Sequence, residues 1–222
     1  MKKIVFLLIF LFAAGPALAF HIGPATPAAD HGEVNLGVGT FNHKAQFEAI
    51  DFEQTRAYAH LGFGLGLENE PRLEIYLRGG AAVLGDEKDF KDYVEEEGQA
   101  FGAVGLKGAF QEGKYFSWGM CLQGAYFGDY KSRELEIRDN WEIELAFPLQ
   151  ERLGPVILYA GPVFYHAQFK MDDVHGFISK EKEDGNAGGF GGVGLELGPI
   201  RLEAEAQYRS DLSVGGFMSV HF

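Results

Sequence analysis

The 222-residue chain has a single cysteine, Cys121, so it can close no disulfide of its own. That lone thiol reads as a small buried side chain and not as a reactive group. Basic residues are scarce as well: 19 Lys and Arg face 32 Asp and Glu, for a formal charge of -13. Such a balance excludes nucleic acid as a partner. Beyond residue 19 no uninterrupted apolar run reaches the roughly eighteen residues a membrane-spanning helix needs. Clustered metal ligands are missing, since His21, His31, His43, His60 and His166 are scattered, and no metal or cofactor is expected. The Gly-x-Gly runs lie in mid-strand and not before a helix, so they form no phosphate loop. Against these absences stand 46% hydrophobic residues, 20 Phe and 31 Gly. A β-barrel accommodates them without a long apolar run, because lipid-facing residues are spread singly along its strands.

At the amino end Lys2 and Lys3 precede an apolar run from Ile4 to Ala14, then Gly15-Pro16 and Ala17-Leu18-Ala19. This pattern predicts an export signal, residues 1–19, cleaved after Ala19. No cysteine follows the cut, so a lipid anchor there is not indicated. Loss of the two lysines takes the formal charge from -13 to -15. Residues 20–32 carry Pro24, Pro27 and several alanines without periodicity, and are expected to be a flexible periplasmic lead-in. Residues 33–222 then form one domain.

From Glu33 onward the apolar residues recur at every second position, the period of a strand. Val34, Leu36 and Val38 open the series. Ala57 to Leu67 alternates with Tyr58, His60, Gly62, Gly64 and Gly66, and Leu73, Ile75 and Leu77 alternate with Arg72, Glu74, Tyr76 and Arg78. Val104, Leu106 and Phe110 are expected outward with Lys107 and Gln111 inward; Phe116, Trp118, Met120 and Leu122 follow in the next segment. Leu135, Ile137, Trp141, Ile143 and Leu145 oppose Glu134, Glu136, Arg138, Asn140, Glu142 and Glu144. Asp139, which interrupts that apolar face, is expected in the headgroup layer, where a charge costs about 0 to 1 kcal/mol. Pro148 to Gly154 reads as a turn. The seventh strand, Pro155 to Lys170, is expected to point Ile157, Tyr159, Val163, Tyr165 and Phe169 outward, with a bulge or kink at Pro162. Asn186 to Leu197, Ile200 to Arg209 and Leu212 to Phe222 complete the set.

The last stretch, LSVGGFMSVHF, places Leu212, Val214, Gly216, Met218, Val220 and Phe222 on one face and ends on an aromatic residue. It resembles the C-terminal strand by which Gram-negative outer-membrane β-barrels are recognised and inserted by their assembly machinery. The resemblance implies an assembly signal carried by Val214, Met218, Val220 and Phe222, outer-membrane lipid as surroundings, and the barrel assembly machinery as a partner during biogenesis. The predicted fold is therefore all-β: an antiparallel transmembrane up-and-down barrel of ten strands, or eight if the first or last pair is misread. Aromatic girdles are expected from Phe110, Phe116, Trp118, Phe147, Tyr159 and Phe222 at one rim, and from Tyr126, Tyr165, Phe169 and Tyr208 at the other.

Inside such a barrel the pattern gathers Arg72, Glu74, Arg78, Lys107, Glu134, Glu136, Arg138, Glu142, Glu144, Glu196, Arg201, Glu203, Glu205 and Arg209. Opposite charges on one enclosed surface pair into a ladder. The interior Gly62, Gly64, Gly66 and Gly194 either relieve wall curvature or leave a cavity. Three functions follow: a monomeric structural or surface-interaction protein, with an extracellular ligand held at residues 85–98 and 171–185; a narrow passive channel for small solutes or cations; and a rim hydrolase. The last rests on similarity to omptin-like outer-membrane proteases, through Asp173-Val174-His175 with Asp86 and Asp89. Those two acids are three apart and not two, and the chain is shorter than that family. Ser219 and His221 share a face but have no evident acid partner. An enzyme is therefore not expected.

Overall fold

The computed structural model describes residues 21–46, 51–66, 72–84, 98–131, 135–173, 178–182 and 186–222. The expected export signal lies outside the described residues. Thirteen strand segments follow in order: β1 Val34–Gln46, β2 Asp51–Leu65, β3 Leu73–Leu84, β4 Gly98–Glu112, β5 Phe116–Phe127, β6 Tyr130–Lys131, β7 Leu135–Ala146, β8 Leu149–Leu153, β9 Val156–Asp173, β10 Ile178–Lys182, β11 Ala187–Leu197, β12 Ile200–Tyr208 and β13 Leu212–His221. Each pairs antiparallel with its neighbours, and β13 returns to β1, so the sheet has no open edge. Three pairs of segments each form one continuous wall strand. Tyr130↔Ile137 keeps the register of Tyr126↔Trp141, so β6 prolongs β5. Likewise β8 prolongs β7 alongside β9, and β10 lies in line with β11 on the opposite side of β9. The result is a closed barrel of ten antiparallel strands.

Alternation is visible in burial. Leu36, Val38, Phe63, Ile75, Leu77, Val104, Leu122, Ile143 and Val193 are exposed on the outside, while Asn35, His60, Glu74, Arg78, Lys107, Gln123 and Glu144 are buried inside. The two ends of the wall meet, with mutual main-chain hydrogen bonds between Val34 and Phe222 of 2.8 and 3.0 Å. At this rim the described turns are tight; Gly154 and Gly198 adopt φ of 65° and 66° there, a conformation that glycine enters without penalty.

Several expectations are corrected. Residues 148–154 are not all turn: strand pairing resumes at Leu149, and the break is confined to Phe147-Pro148, where proline has no N–H to give the ladder. The seventh strand is turned over. Ile157, Tyr159, Val163, Tyr165 and Phe169 are buried inside, and Leu158 and Phe164 face out. Both faces of this strand are apolar, so periodicity alone could not choose between them. Pro162 stays in register opposite Gly189, without a bulge. The irregularity is instead in β7, between Arg138 and Trp141, with Asp139 at φ 51°. One inserted residue inverts the faces beyond it. Ile137 therefore turns inward, and Glu136 and Arg138 leave the interior. A second register shift between Ala109 and Gln111 leaves Gln111 exposed, bonded to Trp118 Nε1 at 3.2 Å. At the outer rim β1 runs to Gln46 and β2 starts at Asp51, and β9 and β10 occupy part of 171–185, a stretch expected to be loop.

Candidate functional site

The lumen is filled from two sources. The first is the wall, which contributes rings as well as charges. Phe217 stacks on Tyr58 with centroids 6.2 Å apart and meets His60 edge-on at 5.2 Å. Tyr76 donates its hydroxyl to Gln123 Oε1 at 2.8 Å and lies beside the buried Cys121. Towards the outer rim Arg56 forms a two-pronged pair with Glu142, at 2.6 and 3.0 Å, and Arg209 pairs with Glu144 at 2.7 Å. The two parallel N–H···O bonds of the Arg56–Glu142 pair fix orientation as well as charge.

The second source is the chain's own residues 21–32, which enter at the rim where the chain ends meet and run up the inside. They are not a periplasmic lead-in: Ile22, Ala25 and Ala29 are 0% exposed and His21 is 1% exposed. The physical reason lies in the wall, which offers partners for an unpaired backbone. Glu205 accepts the N–H groups of Ile22 and Gly23 at 2.9 and 2.7 Å. Glu74 accepts that of Ala29 at 3.2 Å, and Gln150 that of Thr26 at 3.0 Å. In the other direction Arg78 donates to the His21 carbonyl at 2.9 Å, and Arg201 to the Thr26 carbonyl at 3.0 Å. The His21 ring pairs with Glu203 and stacks on Phe217, 5.2 Å between centroids. Ile22 belongs to the same buried cluster as Ile157, Tyr159 and Val163, which explains why that strand turns its apolar rings inward.

The glycine question is resolved by these occupants. A side chain at Gly62 would strike the Glu74 carboxylate, one at Gly64 would strike the Asp30 carbonyl, and one at Gly66 the His31 ring. At Gly194 the neighbours are Ile157 and Glu203. Beside Gly62, Gly64 and Gly66 the space is taken by these groups, whereas Gly194 has only ordinary contacts around it.

Of the fourteen expected luminal charges, Glu74, Arg78, Lys107, Glu142, Glu144, Arg201, Glu203, Glu205 and Arg209 are buried inside. Arg72 is at the rim with Glu112, 3.2 Å away. Glu196 is half-buried, held by Arg152 and by Arg201, the latter at 2.6 Å. Glu136 and Arg138 stand on the outer extension of β7, and Glu134 lies outside the described residues. Periodicity missed Arg56, which follows Gln54-Thr55 without alternation, and His21, which belongs to no strand. The residues expected to carry the assembly signal, Val214, Met218, Val220 and Phe222, line the outside of β13. Asp86, Asp89 and His175 lie outside the described residues. Ser219 Oγ and His221 Nδ1 both lack a hydrogen-bond partner, so no nucleophile–base pair is formed there. Among the described residues no cluster of His, Cys, Asp and Glu could hold a metal ion. The exposed aromatic residues Phe110, Phe116, Trp118, Tyr126, Tyr208 and Phe222 fit the expected girdles, whereas Tyr159, Tyr165 and Phe169 are inside.

A closed antiparallel barrel with a polar, packed interior and apolar rows outside is a membrane β-barrel of the outer-membrane type: only closure satisfies every strand edge in lipid. No protein-family model matches the sequence, and no curated protein matches it significantly. Among solved structures, the translocator domain of the autotransporter NalP from Neisseria meningitidis is similar in shape, with TM-score 0.48 and 9% identity over 87% of this chain and 90% of that one. The transport unit of the autotransporter AIDA-I from Escherichia coli gives 0.46 and 9% over 85% and 89%. A mutant of the TodX monoaromatic hydrocarbon channel gives 0.38 and 11% over 88% and 69%. The assignment to the barrel class rests on this chain's own geometry.

Proposed function

We propose that the chain is a closed outer-membrane barrel with a structural or surface-interaction role, exerted by the strand ends and connections beyond its outer rim. The observation that carries this is the filled lumen. The wall residues that face it and the inserted segment leave each other 0 to 8% exposed at His21, Ile22, Arg78, Lys107, Glu203 and Glu205. A steady aqueous path is incompatible with such burial.

The strands supply the outer surface. About nine to eleven residues cross a bilayer, yet β9 has 18 and β2 and β4 have 15 each. The outer ends of β1 and β2 share a half-exposed ion pair, Lys44–Glu53 at 3.0 Å, and those of β7 and β9 an exposed one, Lys170–Asp139 at 2.6 Å. Pairs of this kind suit water and not lipid. Residues 85–98 and 171–185 are proposed to meet an extracellular ligand there, on a monomer inserted by the assembly machinery through its last strand after export and signal cleavage. No catalytic step is part of this function, and the narrow-channel alternative is disfavoured by the occupied lumen.

Liposome swelling tests the closed state. Vesicles holding the refolded chain Phe20 to Phe222 should swell in a small sugar no faster than empty ones, while the protein shows heat-modifiable migration. Swelling that scales with the amount of folded protein would overturn the closed reading.

A further inference from the structure

We infer that the lumen is a binding site for a polypeptide segment without regular secondary structure, read through its main chain, and that residues 21–32 are the copy of that ligand carried by the protein itself. The inference rests on the closed, occupied lumen described above and extends it to what the site recognises.

The kind of contact carries it. Five wall side chains (Glu205, Glu74, Gln150, Arg201 and Arg78) address the segment's N–H and C=O groups at 2.7 to 3.2 Å. Acceptors meet its amides and cations meet its carbonyls. Such recognition tolerates many side chains and demands a backbone with no helix or sheet bonding of its own and with free amides at chosen positions. Pro24 and Pro27 have no amide to offer, and neither stands where the wall presents an acceptor. Sequence matters at two points. His21 pairs with Glu203, and Gly23, at φ 74°, disfavours a larger residue, because a side chain is strained on that left-handed backbone and its Cβ would crowd Lys107 Nζ at 2.7 Å.

The segment is also separable from the barrel. Among the described residues, 21–31 make no main-chain-to-main-chain hydrogen bond with a strand, so the ladders do not depend on them. Their covalent tie passes through Asp30 and Gly32, both exposed at the rim, with Gly32 at φ 72°. Charged wall groups left behind would be hydrated by water entering from that rim. A vacated lumen is therefore hydrated and open to another segment of this kind.

The test uses two full-length proteins and a labelled synthetic peptide of residues 20–32. In one, Gly23→Val dislodges the segment while every wall residue keeps its identity. In the other, a specific protease site inserted between Asp30 and His31 is cut after folding. Both should take up the peptide saturably, and the intact parent should not. N-methylation of the peptide at Ile22 and Gly23 removes the two donors to Glu205 and should weaken uptake roughly tenfold or more, as expected for hydrogen bonds to a charged group. Uptake by neither folded protein overturns the inference, as does uptake that ignores N-methylation or proceeds equally in the intact parent. Sugar-driven swelling of the parent's vesicles would instead refute the closed state alone, so the two failures are distinguishable.

Discussion

Arg56 and Glu142 are 2% and 3% exposed and answer each other across the lumen from β2 and β7. Taking one away strands the other as an uncompensated buried charge, which typically costs about 3 to 5 kcal/mol. Arg56→Met should therefore lower the unfolding midpoint in urea markedly, and Arg56→Met with Glu142→Leu should recover much of the loss. Equal midpoints for the single variant and the parent would contradict the pairing. A gentler case is Asp139, at φ 51°. Asp139→Val places a β-branched residue where left-handed backbone costs roughly 1 to 2 kcal/mol, while Asp139→Gly should be tolerated better despite losing the bond to Lys170. The order of their heat-modification temperatures checks this. At this scale the sequence was informative where a charge alternated with apolar neighbours, as for Glu74, Arg78, Glu203 and Glu205. It was silent on Arg56, whose neighbours Gln54 and Thr55 show no alternation, and on His21, whose ring lies beside Glu203 and Glu205, 182 and 184 residues away in sequence.

Among the elements, strands with one polar and one apolar face were placed correctly from their period, because only one side of such a strand suits lipid. β3, β5, β12 and β13 are of this kind. β9 is not: Ile157-Leu158 and Val163-Phe164 put apolar groups on both faces, and its phase is set by the inserted segment that Tyr159 and Val163 touch. β7 shows a different limit, since a bulge changes the count without changing composition. Deleting Asp139 should remove that extra residue and rotate Ile137 out and Glu136 in. The outer hairpin of β6 and β7 would lose its buried contacts, and limited proteolysis should cut between residues 128 and 138 faster than in the parent. An unchanged rate would mean that Ile137 contributes nothing there. The same comparison explains residues 21–32. They have no period to read, and their order comes entirely from wall groups distant in sequence.

For the whole molecule, ten strands leave a lumen wider than wall side chains alone need fill, and the chain occupies the remainder with its own amino-terminal segment. That occupancy is the central claim, and thiol accessibility tests it most directly. In a Cys121→Ala background, Ala25→Cys carries the only thiol, at a position that is 0% exposed. Refolded protein in lipid vesicles should resist a membrane-impermeant maleimide until it is heat-unfolded, then label fully. Rapid labelling of the folded, heat-modifiable form would place residue 25 in water and contradict the filled lumen.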